Sequence, residues 1–211
     1  MPISVILSLL ILGSAVVTIW ADYRGPRLIV FCFKPLTTGL ILLLALRPGS
    51  SGLLAYQAAV VAGLVCSLVG DVFLMLPKRR LLIGLASFLA AHVSYIVALS
   101  WGTRLSDCPL LLTPFLVYLA VVSVILLPHL GGMKAPVIGY ELVILAMAWR
   151  ALERWLQVGS VPAFAAFLGA IVFLFSDSLL GIREFVRKFR IAQALILSTY
   201  FCAQWLIALS V

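Results

Sequence analysis

Long apolar runs alternate with short polar segments along the chain, and eight of these runs are long enough to cross a bilayer as helices. They cover residues 3–20, 28–46, 53–76, 81–101, 109–127, 135–152, 160–182 and 190–210. The segments between them are too short to form a second domain. The pattern therefore predicts an all-α protein, a single integral membrane bundle of eight transmembrane helices over residues 1–211.

Composition excludes a soluble globular domain, because 64% of the 211 residues are hydrophobic and only 10% are charged. The first run has no preceding Lys or Arg and no small-residue cleavage site, so we expect it to be retained rather than removed as a secretory signal. The four cysteines are far apart in the chain and show neither a disulfide framework nor a zinc-binding spacing. No metal site is predicted.

The formal net charge of +8 would suggest nucleic acid in a soluble protein, but here the basic residues are unevenly divided between the two sides of the bundle. Eleven lie on one side and four on the other. By the positive-inside rule, the richer side is cytoplasmic and both termini lie outside, which leaves no need for a nucleic-acid partner. The short loops suggest a bacterial cytoplasmic membrane. The larger group is Arg24, Arg27, Lys34, Lys78, Arg79, Arg80, Lys134, Arg183, Arg187, Lys188 and Arg190, and the smaller is Arg47, Arg104, Arg150 and Arg154.

Four ionisable residues inside the runs are predicted to lie at one depth. Asp71 precedes Lys78 by seven residues, Asp177 precedes Arg183 by six, Lys34 follows Arg27 by seven, and Glu141 follows Lys134 by seven. At the helical rise, each lies about 10 Å inside the basic boundary. Buried charges are costly and normally pair or line a wet cavity, so a shared pocket is expected. The alternative is structural, with Lys34 bridging one acid and the others bonding neighbouring helices.

A second polar layer is expected deeper in the bundle. His92 and Tyr95 are about one helical turn apart on the fourth span, and Tyr200 and Gln204 are about one turn apart on the eighth, so each pair shares a face. Each side chain supplies a directed donor or acceptor for a substrate. For His92, an ordinary interhelical hydrogen bond is an equally good interpretation.

The two aspartates also occur in similar contexts. SLVGDVFLML around Asp71 and FLFSDSLLGI around Asp177 both precede basic segments, and each is followed by a span carrying one of the polar pairs. A duplication of four spans would produce this pattern as two parallel four-helix repeats. In that arrangement the two aspartates occupy equivalent positions and could face each other.

Four motifs together resemble the lysoplasmalogenase family, whose bacterial members are called YhhN-like. They are GD at Gly70–Asp71, AHVSY from Ala91 to Tyr95, FSD with Ser176 and Asp177, and STYFCAQ from Ser198 to Gln204. The resemblance runs from KP at Lys34–Pro35 to the last span. It departs from the family at Phe201, where a second tyrosine is common, and at Glu141, where we do not associate a carboxylate with the family.

The resemblance implies hydrolysis of the vinyl ether bond of a lysoplasmalogen, a lysophospholipid, to a fatty aldehyde and glycerophosphoethanolamine or glycerophosphocholine. It implies no cofactor. Such hydrolysis needs an acid that protonates carbon, an anion that stabilises the cation, and a water, a demand that two carboxyl groups in unlike environments can meet. Asp71 and Asp177 are the predicted catalytic pair, with either order of roles open. The predicted substrate-binding residues are His92, Tyr95, Tyr200, Gln204, Lys34, Glu141 and Ser176, and Lys34, Arg183 and Arg187 could attract the lipid phosphate.

A proton-coupled transporter is the main alternative, because acidic residues inside spans also form proton relays. Transport requires alternating access, usually with sites near the midplane and helices broken by Gly or Pro. Here the ionisable layer is off-centre, and Pro35, Pro114 and Pro136 are expected near helix beginnings, where proline is tolerated. The pattern favours access from one side.

Two further hydrolase classes fit poorly. A membrane zinc hydrolase needs about three ligands, often histidine, and the chain has only His92 and His129. The G-x-G-D pattern of intramembrane aspartyl proteases would require glycine in place of Leu68. A non-enzymatic scaffold stays open, and it predicts that neutralising either aspartate changes stability without abolishing any chemistry.

Overall fold

The computed structural model describes residues 3–47, 54–76, 81–105 and 108–211, and this part of the chain contains helices and no strands. Within it, eight helices are long and apolar enough to cross a membrane, which confirms the predicted all-α membrane bundle. Lys78, Arg79 and Arg80 lie outside the described residues. The helices are α1 (Ile3–Arg24), α2 (Arg27–Ala45), α3 (Leu54–Met75), α4 (Leu81–Ser100), α5 (Thr113–Leu126), α6 (Lys134–Val158), α7 (Val161–Gly181) and α8 (Ala192–Leu209).

Capping residues explain the end of α6 and the start of α7. Gly159 ends α6 in the left-handed conformation, with φ at 66°, and Ser160 caps α7 by accepting a bond from the backbone of Ala163 at 3.3 Å. After α7 the chain continues as a short π-helical segment, Ile182–Val186. The expectation that Pro35 lies near a helix beginning is wrong, because it lies in the interior of α2.

The helices pack as a ring with two outer members. Neighbours around the ring are α2, α3, α4, α6, α7 and α8, with α8 closing back onto α2. The outer helix α1 packs on α2 and α8, and α5 packs mainly on α6. The pairings of the first four helices recur in the second four: α1 with α2 matches α5 with α6, and α3 with α4 matches α7 with α8. This is the packing that two parallel four-helix repeats would give.

Two glycines allow the closest helix pairs to approach each other. A Cβ on Gly63 would overlap the ring of Tyr95 where α3 meets α4. A Cβ on Gly169 would lie 2.9 Å from the backbone oxygen of Ala203 where α7 meets α8. Small residues at such crossings are the usual means by which membrane helices gain packing contacts, since lipid gives no hydrophobic drive for helix association.

Two arginines assigned to the outer side prove to be buried parts of α6. Arg150 pairs with Glu153 one turn away and donates to the side chains of Ser100 and Thr103 at 3.0 and 2.9 Å. Arg154 donates to a backbone oxygen at the end of α4 at 2.7 Å. These bonds join α6 to the end of α4, at the end of the bundle opposite to the aspartates.

Candidate active site

A cavity of about 650 Å³ lies at the basic end of the bundle, the end that carries Arg24, Arg27, Arg183 and Arg190. There the turn between α1 and α2 meets the segment before α8, because the Tyr23 hydroxyl donates to the backbone oxygen of Arg190 at 2.9 Å. The cavity is bounded by α1, α2, α3, α4, α7, α8 and the π-helical segment. The predicted site residues that line it are Lys34, Asp71, Ser176, Asp177 and Tyr200.

Asp71 is almost fully buried, at 1% exposure, and is surrounded by donors. The Lys34 ammonium lies 2.9 Å from Oδ1, while the hydroxyls of Thr38 and Tyr200 donate to Oδ2 at 2.9 and 2.8 Å. Thr38 was not predicted, although its place one turn after Lys34 puts it on the same face of α2. One cation and two hydroxyl donors thus compensate for the burial of the Asp71 carboxyl group.

Asp177 has a different environment. The Tyr140 hydroxyl donates to its Oδ2, and the His92 Nε2 lies 3.8 Å from the same oxygen. Among the described residues, no Lys or Arg lies within ion-pair distance of this carboxyl group. Tyr140 was not predicted, because its neighbour Glu141 was the more conspicuous residue in the sequence. Within the described part of the chain, the Asp177 carboxyl group therefore has one phenol donor and no Lys or Arg partner.

The surroundings of the two aspartates correspond when α1–α4 are matched in order with α5–α8. Asp71 on α3 receives contacts from α2 and α8, and Asp177 on α7 receives contacts from the equivalent helices α6 and α4. On α2 the lysine Lys34 faces Asp71, and on the matching helix α6 the phenol of Tyr140 faces Asp177. The fold thus brings two identical side chains to the wall of one cavity and gives them unlike partners.

His92 is fully buried, and neither of its ring nitrogens has a hydrogen-bond partner in the described part of the structure. Its ring packs edge-on against Tyr140 and Phe173, with centroids 5.3 and 4.8 Å apart. It does not line the large cavity. A fully buried imidazole without a partner is unusual, and here the Asp177 carboxyl group lies 3.8 Å from Nε2, beyond hydrogen-bond distance.

Tyr95 and Gln204 lie deeper and bond to each other, with the Tyr95 hydroxyl donating to Oε1 of Gln204 at 2.6 Å. Neither lines the cavity. The ring of Phe173 packs near His92, Tyr95 and Tyr200, with centroids 4.8, 6.5 and 5.7 Å away. Sequence analysis missed Phe173 because one more phenylalanine in an apolar run carries no signal. A role for Tyr95 and Gln204 in substrate binding stays a prediction.

Ser176 and Glu141 are placed differently from each other. Ser176 lines the cavity but is buried, and its hydroxyl donates to the backbone oxygen of Ile196 at 3.2 Å, which joins α7 to α8. Glu141 accepts a bond from Ser123 at 3.2 Å and lines a second, smaller cavity that it shares with Asp177. The predicted common depth of Glu141 and the two aspartates therefore did not place Glu141 in the large cavity.

Charged groups also line the cavity on the side of the helix termini. Arg27 and Arg183 contribute positive charge there, and Asp22 and Glu184 contribute negative charge. Arg187, named with them as a possible phosphate contact, does not line it. No cluster of three or more His, Cys, Asp or Glu suited to a metal ion occurs among residues 3–47, 54–76, 81–105 and 108–211.

Comparison with known proteins assigns this architecture to a family. Residues 29–211 match the sequence model of the YhhN family. The chain is 33% identical over 200 residues to the "Uncharacterized membrane protein YhhN" of Escherichia coli O6:H1, covering 93% of this chain and 94% of that protein. It is 36% identical to lysoplasmalogenase TMEM86B of Mus musculus, covering 91% and 79%, and 32% identical to lysoplasmalogenase TMEM86A of Homo sapiens, covering 91% and 82%. No solved structure matches the chain.

Proposed function

The chain belongs to the YhhN family, and from that premise and the geometry of its cavity we propose that it is a membrane hydrolase that cleaves the vinyl ether bond of lysoplasmalogens. Two of the relatives above carry the name lysoplasmalogenase, which supports a lysophospholipid substrate. The products would be a fatty aldehyde and a glycerophosphoethanolamine or glycerophosphocholine. No observation favours the transporter alternative.

The observation that carries the proposal is the pairing of two carboxyl groups with unlike partners at one cavity. Asp71 has Lys34 as its cation, and Asp177 has only a phenol and a nearby imidazole among the described residues. Burying an ionised carboxylate without a cation is costly. We therefore assign Asp177 as the protonated acid and Asp71 as the anion.

The reaction follows from these charge states. Asp177 transfers its proton to the outer carbon of the double bond, which leaves an oxocarbenium ion at the carbon attached to oxygen. Asp71 stabilises that positive charge and orients a water, whose oxygen bonds to the cationic carbon while its released proton restores Asp177. The resulting hemiacetal breaks its bond to the glycerol oxygen, giving the aldehyde and a glycerol hydroxyl. One water is consumed and the protein returns to its starting state.

The charged rim of the cavity suits the polar end of this substrate. The guanidinium groups of Arg27 and Arg183 are forked donors that match phosphate oxygens, and both line the cavity that holds the aspartates. The lipid would enter from the leaflet at the basic end, since the acids lie toward that end of their helices. By the positive-inside rule this is the cytoplasmic leaflet, with both termini on the other side.

Aldehyde release by the purified protein in detergent tests the proposal. The parent should release aldehyde from a lysoplasmalogen and leave the matching saturated ether untouched. Asp177→Asn should lower kcat by about 10²- to 10⁴-fold, since it removes a general acid. Asp71→Asn should also lose activity. Before the rates are compared, both variants must show the same unfolding transition and the same gel-filtration elution volume as the parent.

Isotope incorporation tests the position of proton transfer. Cleavage in D₂O should place one deuterium on the carbon next to the aldehyde group, and mass spectrometry of the promptly trapped product measures it. Aldehyde added to D₂O without enzyme corrects for later exchange. A parent protein that folds but releases no aldehyde would contradict the proposed activity. Full activity in both Asn variants would contradict the proposed mechanism.

A further inference from the structure

A second cavity adjoins the first between α5, α6 and α7, with Leu81 and Leu85 of α4 also in its wall. Its volume is about 50 Å³, and aliphatic side chains form most of its wall. Among its polar members, Tyr118 donates to Ser178 at 2.8 Å and Tyr140 donates to Asp177. Glu141 accepts from Ser123 through one oxygen, while its other oxygen has no hydrogen-bond partner among the described residues. The aliphatic wall includes Leu119, Val122, Leu126, Val137, Ile144 and Leu174. We refer to this space as the α5–α7 cleft.

The two cavities meet at Asp177. This residue lines both of them, together with Leu81, Leu180 and Glu184. The large cavity carries charge at Arg27, Arg183 and the Lys34–Asp71 pair, whereas the α5–α7 cleft is mostly apolar. The proposed acid is therefore situated at a boundary between a polar and an apolar space.

The substrate class has the same two-part form, with a polar head and a hydrocarbon chain joined at the bond to be broken. When the head lies in the large cavity and the reacting carbon contacts Asp177, the chain must continue into the space beyond. We propose that the α5–α7 cleft binds the first carbons of the hydrocarbon chain beyond the double bond and so aligns that bond with the acid. This inference rests on the proposed function.

The position of α5 explains how the rest of the substrate's hydrocarbon chain would leave the protein. This helix is peripheral, with 17% of its span buried against 50% for α8, and it packs mainly on α6 and the π-helical segment. The cleft is far smaller than the large cavity, so it holds only the beginning of a long chain. The remaining carbons would extend past α5 into the bilayer, where they stay in an apolar solvent.

We expect the cleft to affect the rate of bond cleavage more than the affinity for the substrate. A hydrocarbon chain that moves from lipid into an apolar cleft exchanges one apolar environment for another and gains little free energy. What the cleft provides is position, since about 1 Å of misplacement of reacting atoms can cost about 100-fold in rate. Blocking the cleft should therefore lower kcat and leave KM nearly unchanged.

Adjacent valines on α5 supply a matched pair of variants. Val122 lines the cleft and is 7% exposed, while Val121 is 55% exposed on the other face. With a long-chain lysoplasmalogen, Val122→Phe should lower kcat by about 10- to 100-fold, and Val121→Phe should remain within about twofold of the parent. Equal kcat values for the two variants on this substrate would overturn the proposal.

A truncated substrate separates this proposal from the proposed function. A glycerophospholipid whose chain is only an ethenyl group keeps the vinyl ether but has no carbons to occupy the cleft. The parent and Val122→Phe should cleave it at equal rates, and a loss equal to that seen with the long chain would overturn the proposal. If the parent cleaves neither substrate, the proposed function fails. A photocrosslinking experiment still tests whether the cleft binds a hydrocarbon chain.

Two glycines provide a milder pair in case Val122→Phe does not fold. A Cβ on Gly181 would lie 3.3 Å from Leu126 inside the cleft, and a Cβ on Gly139 would meet nothing within 4 Å. Gly181→Ala should lower kcat for the long-chain substrate selectively, and Gly139→Ala should not. An equal effect of the two changes would count against the cleft.

Photocrosslinking locates the bound hydrocarbon chain without requiring turnover. The probe is a saturated ether lysolipid with a diazirine on the fourth chain carbon, incorporated into detergent micelles with the parent protein. Mass spectrometry should find the label on α5, α6, α7 or the Leu81–Leu85 end of α4, and excess unlabelled ether lipid should displace it. Labelling confined to the rest of the protein would overturn the proposal.

Discussion

Replacing Lys34 by Met is expected to destabilise the protein by leaving the Asp71 carboxylate without its cation. The Lys34 ammonium lies 2.9 Å from Asp71, and Asp71 is only 1% exposed, so water cannot take the place of the lysine. Within the described residues, no other Lys or Arg lies within ion-pair distance of this carboxylate. Methionine keeps the length and flexibility of the side chain while removing its charge.

The magnitude follows from the geometry of the pair. Two unit charges 2.9 Å apart attract by about 6 kcal/mol at an effective dielectric constant of about 20. The cost of desolvating both groups offsets part of this attraction, and the hydroxyls of Thr38 and Tyr200 continue to stabilise the carboxylate in the variant. Breaking a buried ion pair from one side typically costs about 3–5 kcal/mol. We expect the free energy of unfolding to fall by about 3 kcal/mol, the lower end of that range.

The assay is reversible unfolding in mixed detergent micelles, applied to a double-mutant cycle. Lys34→Met combined with Asp71→Asn should recover much of the stability that Lys34→Met loses, because a neutral amide needs no cation. Arg187→Met, which removes an exposed charge from the same end of the bundle, should change the free energy of unfolding by less than about 0.5 kcal/mol. If the losses from the two single changes simply add, the ion pair does not couple α2 to α3 and the reasoning is refuted.

Three further predictions concern other contacts. Tyr140→Phe should lower kcat for aldehyde release by about tenfold, because it removes the donor that orients Asp177, while Tyr23→Phe should not change kcat. Glu153→Gln should lower the free energy of unfolding by about 3 kcal/mol, because it leaves the buried Arg150 charge uncompensated, and should leave kcat unchanged in the folded fraction. Gly63→Ala should cost about 1–3 kcal/mol of unfolding free energy through overlap with the tyrosine facing it on α4, and an unchanged melting temperature would contradict that packing.

Depth in the membrane could be predicted from the sequence, and rotation about the helix axis could not. Counting from the basic residues placed Lys34, Asp71 and Asp177 at one level, and the fold brings all three to one cavity. The same count included Glu141, which instead lines the smaller cleft. Adjacent residues on a helix point about 100° apart, so Tyr140 reaches Asp177 and Glu141 does not. Which of the two would face the acid depends on how α6 packs, and that is not visible in the spacing of charges.

The C-terminal end of α6 shows a second reason why the sequence did not predict the whole structure. The charges at Arg150 and Arg154 indicated the end of a span, whereas the helix continues to Val158 and ends where Gly159 adopts the left-handed conformation. Arginine can remain inside a membrane bundle when partners satisfy its donors, as Glu153 does for Arg150. Such partners come from distant segments, and a count of charges along the chain cannot identify them.

The similar contexts of the two aspartates raise the question of how one fold can provide both an acid and an anion. Two equivalent aspartates in identical surroundings would have the same charge state, and two ionised groups at one cavity would repel each other. The difference comes from the neighbouring helices, where Lys34 faces Asp71 and Tyr140 faces Asp177. Because the distinguishing residues lie on α2 and α6 and not beside the aspartates in sequence, the local motifs around Asp71 and Asp177 can remain similar while their chemistry differs. Under the proposed mechanism, the difference between acid and anion therefore arises from packing between helices, and removing the partner of either aspartate should lower activity, though by less than changing the aspartate itself.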